Sequence, residues 1–287
     1  MYLKHFLLLL VFLGAMVYGR PQSPALSCSP EDPEIFGQLM KDLDTLEAGT
    51  IGEAMIVTGI HFLGTPYVAS TLELGGQEML VVNLRGLDCT TFVENVLAIG
   101  RMKVEGQRDW ESYLHNLEQI RYRNGTLQGY ASRLHYFSDW IRDNQEKGLV
   151  KDITPEIGGV SLLKEINFMG THPELYPALA REDYLDRIRN IEASLSSKNL
   201  FILPAEEVAA QEASLQDGDI IALATNIQGL DVTHTGIAVS GSDGRVHLLH
   251  ASTEGAVMIS KEPIPEYLKK IKGNTGIIVV RPLEPGG

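Results

Sequence analysis

Residues 87–100, LDCTTFVENVLAIG, decide how the rest of the chain is read. Phe92, Val96 and Ile99, flanked by Val93 and Leu97, recur at the spacing of one helical face, which predicts a helix with that face buried. Asp88 stands where an N-cap belongs and Gly100 where a C-terminal glycine belongs, while Leu87 can staple onto Phe92 across the first turn. Cys89 is then the first helical residue. Unpaired backbone N–H groups and the positive end of the helix dipole favour a thiolate there, the form that attacks carbonyl carbon. The competing reading is a small buried hydrophobe at a helix start, because free cysteine is among the most buried residue types.

The surrounding 287 residues can bury a full core, and a hydrophobic content of 44% is that of a globular chain. A net charge of −13 without any Lys/Arg-rich run excludes nucleic acid as a partner, since phosphate recognition needs clustered positive charge. Residues 1–19 carry Lys4 and His5, an apolar run from Phe6 to Tyr18, and a small-residue exit at Gly19. That run is too short for a bilayer of about 30 Å, so it is expected to be a cleaved secretory signal that exports the protein to the periplasm without stable membrane insertion. Residues 20–33, with Pro21, Pro24, Pro30 and Pro33, form an extended lead-in. Within it Ala25-Leu26-Ser27-Cys28 weakly resembles a lipoprotein acylation box, a secondary alternative. An exported chain with only Cys28 and Cys89 has no disulfide framework, and joining the two would disable the proposed nucleophile.

From residue 34 onward a single domain is expected. Residues 34–46 and 51–62 repeat apolar positions at helical spacing, and the turn GTPYVAS, residues 64–70, presents Tyr67 shortly before the cysteine helix. Residues 101–200 read as a large helical insertion, with helices at 110–120 and 134–141, a turn at Asn124-Gly125 and a break at Gly158-Gly159. This insertion carries Trp110, Tyr113, Tyr122, Tyr130, Phe168 and Tyr176 with Arg121, Arg123 and Arg133 among them, suitable for stacking on sugar and pairing a carboxylate. His172 reads as a structural or substrate-wall residue. After residue 200 come short β-like runs at 220–224, 233–239, 245–250 and 276–281. Helices followed by strands make the fold α+β, with the sheet packed on the cysteine helix.

Gly241-Ser242-Asp243-Gly244 joins two of these strands as a hairpin. A three-residue loop pairs Ser240 with Gly244 and therefore His234 with His250, directly opposite on one face, with Cβ atoms about 5 Å apart. Gly236 and Ala238 share the His234 face, and such small residues are expected to admit a close helix. His247 falls on the other face. A thiol at a helix start, a histidine on a facing strand and a second histidine beside it are the nucleophile, base and orienter of a papain-like site. Two other classes share these residues: a zinc site of Cys89, His234, His250 and Asp231, and a non-catalytic glycopeptide binder.

GTPY, LDCTTFVE, DGDIIAL, HTGIAV and LLHAS, in this order, resemble the NlpC-type cell-wall cysteine peptidases, circularly permuted relatives of papain. NLRGLDCTTFVEN, INFMGTHPELYPAL and GLDVTHTGIAV are more closely similar to an N-acetylmuramoyl-L-alanine amidase-like subfamily, long catalogued as a domain of unknown function. The resemblance implies a papain-like core needing no cofactor, a muropeptide substrate, Cys89 as nucleophile, His234 as base and His250 as third residue. It also implies Tyr67 and Asp88 near the bound peptide. The bond cut is expected to join N-acetylmuramic acid to L-alanine in soluble fragments, including those with a 1,6-anhydro end, with γ-D-glutamyl endopeptidase cleavage as the alternative.

Overall fold

The apolar repeats of the sequence become helices on one side of a single large sheet. The computed structural model describes residues 25–286. The expected signal segment therefore lies outside the described residues. In chain order the elements are β1 (Leu26–Ser27), α1 (Glu31–Asp44), α2 (Ile51–His61), β2 (Leu80–Val81), α3 (Cys89–Glu105), α4 (Trp110–Arg121) and α5 (Phe137–Glu146). They continue as β3 (Val150–Asp152), β4 (Val160–Leu163), α6 (Phe168–Thr171), α7 (Glu182–Ser196), β5 (Asn199–Pro204), α8 (Val208–Gln211), β6 (Ile220–Thr225) and β7 (Val232–Ser240). β8 (Val246–Ala251), β9 (Val257–Ile259), α9 (Ile264–Leu268) and β10 (Asn274–Pro282) complete the chain. The class is α+β. Strand order in the main sheet is β4-β5-β10-β6-β7-β8-β9 with antiparallel pairings, and β3 joins β10 beside β5.

α3 is the helix on which this sheet rests. Asp88 Oδ1 accepts from the Thr91 N–H at 2.8 Å while the Thr91 hydroxyl takes up the Asp88 N–H at 2.9 Å, a reciprocal cap that makes Cys89 the first helical residue. The helix does not stop at Gly100. It runs to Glu105 and ends on Gly106, whose φ of 71° is the left-handed conformation that glycine adopts without penalty. Gly100 instead serves packing, because a Cβ there would lie 3.0 Å from Met55 Cγ and 3.3 Å from Met55 N. Its lack of a side chain lets α2 press against α3. Phe92, Val96, Leu97 and Ile99 are fully buried in a core shared with Met55 of α2 and with Ile237, Val239 and Leu249 of the sheet. Each such side chain contributes roughly 1.5–3 kcal/mol on burial.

Residues 101–200 are not one helical unit. α4 and α5 give Tyr113, Leu117, Ile120 and Trp140 to the main core, and β3 and β4 join the sheet. A separate core of Tyr130, Tyr136, Met169, Leu179, Tyr184 and Ile188 underlies α6 and α7. The three arginines expected to meet substrate are spent internally: Arg121 on Glu94 at 2.6 Å, Arg123 on Asp139 at 2.5 Å, Arg133 on Glu73 at 2.5 Å. Arg121 also donates to the Val81 carbonyl at 2.6 Å, so the pair ties α3, α4 and β2 together. Of the aromatics, Tyr113, Tyr122 and Tyr130 are buried and Trp110 packs on Phe36, leaving Phe168 and Tyr176 partly exposed.

The lead-in is also held. β1 pairs in parallel with β2, and Asp32 accepts the N–H groups of Ser29 at 2.7 Å and Leu84 at 2.9 Å. Cys28 is exposed and follows β1, so processing immediately before it, as acylation requires, would remove Leu26 and Ser27 from that pair. Among the described residues no helix is long and apolar enough to cross a membrane.

The buried Glu94–Arg121 pair carries a stability expectation. Glu94→Ala leaves a buried guanidinium uncompensated and is expected to cost about 3–5 kcal/mol in urea unfolding. A loss below about 1 kcal/mol, the scale of an exposed pair, would contradict this packing account.

Candidate active site

The first turn of α3 is bolted to the strand that carries the predicted base. Thr235, the residue after His234, donates its hydroxyl to the Cys89 carbonyl at 2.9 Å. Cys89 is half-buried, and its N–H and that of Thr90, at the first two helical positions, have no intrahelical acceptor. Tyr67 lies alongside: its residue bridges Leu87 in parallel, Val68 N–H bonds the Leu87 carbonyl at 3.1 Å, and Leu87 N–H bonds the Pro66 carbonyl at 3.0 Å. The sequence thus places Tyr67, Asp88 and Cys89 together, as expected.

The hairpin register differs from expectation by two residues. Ser240 pairs with Val246 and Ile237 with Leu249, so His250 stands opposite Gly236, and His234 lies diagonal to it. The physical reason is that the loop closes one residue later, on Gly241 and Arg245. Gly241 N–H bonds the Arg245 carbonyl at 2.7 Å, Gly244 takes a φ of 76°, and Asp243 accepts the Arg245 N–H at 3.1 Å. A shift of two preserves the faces, so the histidines still meet: His234 Nε2 lies 2.6 Å from His250 Nδ1, with the rings nearly perpendicular. Gly236 makes that meeting possible, since a Cβ on it would stand 2.9 Å from His250 Cβ and 2.8 Å from Leu248 Cδ1. Its smallness admits the partner strand rather than the helix, because α3 packs on the opposite face, against Ile237 and Val239.

One nitrogen of the His234–His250 bond must carry a proton. If His234 donates from Nε2, its Nδ1 is a free acceptor and His250 holds its own proton on Nε2. Burial keeps both rings neutral, lowering His234 to about 4, and lowering His250, with His234 as second cause, to about 3. Burial and the Asp88 carboxylate push the Cys89 thiol up, against the Thr235 N–H and hydroxyl, which favour the thiolate. Burial thus opposes what the helix terminus favours, and with the thiol pushed up and both rings pushed down, thiol and imidazoles rest uncharged.

Three neighbours escaped the sequence reading. Thr235 is the bolt just described. Tyr267 of α9 meets the His250 ring at right angles, 5.4 Å between centroids. Glu254 sits exposed on the turn after β8, next to Gly255, whose carbonyl accepts the Tyr67 N–H at 2.8 Å. Thr235 stands inside the HTGIAV stretch, where its hydroxyl gives no sign of its partner, while Tyr267 and Glu254 belong to no motif and only tertiary packing gathers them. Asp231 does not join the cluster as a zinc ligand. It is buried and accepts the N–H groups of Ser138 at 2.7 Å and Val232 at 2.8 Å, and no metal-holding group of His, Cys, Asp and Glu is found among the described residues. His247 bonds the Ser260 carbonyl and Asp243 on the other face. His172 is exposed and stacks on Phe168.

These features define an α+β protein with a half-buried thiol and a coupled pair of histidines at one end of its sheet. The chain belongs to the N-acetylmuramoyl-L-alanine amidase-like family, whose family model matches residues 57–277. A crystal structure of an N-acetylmuramoyl-L-alanine amidase from Bacteroides uniformis is similar at 41% identity and a TM-score of 0.76, covering 81% of this chain and 98% of its own. A Bacteroides fragilis structure named as a candidate xylanase matches at 40% identity and TM-score 0.72, covering 78% and 98%. A Legionella pneumophila protein at 21% identity and TM-score 0.67, covering 88% and 94%, shares the fold. A comparison with curated proteins gives no match.

A neutral resting thiol has a kinetic signature. Inactivation by iodoacetamide is expected to accelerate with pH through and beyond about 8.5, the ordinary thiol value. A rate already at its plateau between about pH 5 and 7 would show a preformed thiolate and contradict the desolvation argument.

Proposed function

We propose that this chain is a thiol-dependent N-acetylmuramoyl-L-alanine amidase with a papain-like, NlpC-type core, acting on soluble peptidoglycan fragments outside the cytoplasm. The observation that carries the reading is the 2.6 Å hydrogen bond between His234 Nε2 and His250 Nδ1: with His234 as its donor, His234 Nδ1 is the free base, one residue from Thr235, which holds the Cys89 carbonyl. His234 takes the thiol proton as sulfur attacks the lactyl carbonyl of the muramic acid. Because thiol and base both rest neutral, proton transfer accompanies attack rather than preceding it. The N–H groups at the start of α3 receive the developing oxyanion. Collapse breaks the C–N bond, the L-alanine nitrogen takes the proton from His234, and water, deprotonated by the same imidazole, hydrolyses the thioester.

Amidase is preferred to endopeptidase on the family and on the name of the Bacteroides uniformis neighbours. One surface feature agrees with it. The paired arginines contribute nothing to a saccharide wall, but Phe168 and His172 stack at 4.5 Å and are tied to the loop before β7, where Phe168 N–H bonds the Gly229 carbonyl at 3.1 Å. That ledge suits the face of a sugar ring.

Incubation with a disaccharide-tetrapeptide and its 1,6-anhydro form should release intact tetrapeptide and free disaccharide, detected by mass spectrometry. Cys89→Ser should lower turnover by at least about a thousandfold while remaining folded. A disaccharide still carrying L-alanyl-D-glutamate would establish the endopeptidase instead, and binding without turnover by the parent would establish a binder. An orienter needs only to accept the His234 Nε2 proton, so His250→Asn should keep more kcat than His250→Leu. Equal activity in both variants and the parent would reduce His250 to core.

A further inference from the structure

We propose that Tyr267 is a positioning residue for the histidine pair, holding the His250 ring edge-on and keeping water from it, so that His250 can accept only the proton of His234. This rests on the catalytic roles argued above for His234 and His250. The argument begins with how little else fixes His250. Its backbone lies in β8, and its Nδ1 is taken by His234, but a ring on a strand can still turn about its side-chain bonds. On one side the gap at Gly236 accepts the His250 Cβ. On another stands the Tyr267 ring, 5.4 Å away and tilted by 77°, the edge-to-face arrangement that aromatic quadrupoles favour.

Tyr267 is itself held firmly. It sits on α9 between Ile264 and Leu268, buried at 1% and 3% exposure in the core on the far face of the sheet. Glu266 beside it binds Arg245 at 3.2 Å, and Arg245 also binds Glu212 at 2.8 Å. The short helix is therefore seated on the core from below, and an exposed ion pair links its side to the hairpin loop. A residue pinned this way, half-buried and turned toward a catalytic pair, restricts motion of the ring it touches. The other titratable groups about the pair are Cys89 and Asp88 at the start of α3, Tyr67 on its loop and Glu254 on the turn after β8. The Tyr267 phenol stays protonated beside them, burial, Glu254 and Cys89 all raising it.

The role is separable from mere packing by pH. With Tyr267 removed, water reaches His250, the charged imidazolium becomes less costly, and the acid limb of kcat/KM moves upward because the neutral pair is the active form. Tyr267→Ala is expected to shift that limb and the NMR titration of His250 upward by about one pH unit, and to lower kcat about tenfold with KM within about twofold. Tyr267→Phe keeps the ring edge and should match the parent. Tyr267→Gln takes the place of Tyr267→Ala, with the same expectation, if the latter fails to fold. An unmoved His250 titration in a folded variant, or a Tyr267→Phe loss equal to that of Tyr267→Ala, would overturn the proposal, the second by assigning the work to the hydroxyl. Should the parent hydrolyse nothing, the proposed activity fails while the His250 titration still decides what Tyr267 does.

Discussion

The bond from the Thr235 hydroxyl to the Cys89 carbonyl is the constraint on which the site depends. α3 is a rigid rod buried from Thr91 to Met102, and β7 is the strand next to the centre of the sheet. Bolting the first turn of the rod to this strand holds the Cys89 backbone at Thr235, one residue along from His234, while its Sγ lies 4.0 Å from the Thr90 hydroxyl. The bond needs a small hydroxyl residue facing the helix, while His234 and Gly236 face the other way along the same strand. Alternation along β7 therefore serves two partners at once: the odd-numbered face receives α3, and the even-numbered face holds the second histidine.

Around that junction, buried polar groups do what apolar packing cannot: they fix direction. The Glu94–Arg121 pair reaches the Val81 carbonyl, and Arg133 gathers Glu73 and Glu78 from the loop that begins near Tyr67. Tyr122 adds a bond to Glu78 at 3.1 Å and Tyr130 one to Glu73 at 3.2 Å. Irregular backbone before the cysteine helix thus acquires a definite course without regular secondary structure. Desolvation in the same region bears on the protonation states: it pushes the Cys89 thiol up and both imidazoles down, so all three rest uncharged.

Local chemistry was legible in the chain, and tertiary chemistry was not. The start of α3 could be read because its N-cap, Asp88, stands immediately before Cys89, although the reciprocal bond with Thr91 emerged only in the structure. Its end could not, because Gly100 looks the same whether it terminates a helix or makes room for Met55. The faces of the hairpin were legible since alternation survives a two-residue slip, but the register depended on how Gly241, Asp243 and Arg245 close the loop. Arg121, Arg123 and Arg133 read as free cations because their carboxylate partners are distant in sequence. Tyr267 left no trace at all, being joined to the site only through the contact of its ring with His250.

The central claim is that Cys89 forms a thioester with the muramoyl side of the substrate. Acid quenching during turnover of a disaccharide-tetrapeptide, followed by peptide mapping with mass spectrometry, tests it directly. The account predicts the disaccharide lactyl group attached to the peptide containing Cys89, with the tetrapeptide already released. An adduct carrying L-alanine, or turnover with no adduct on Cys89, would contradict it.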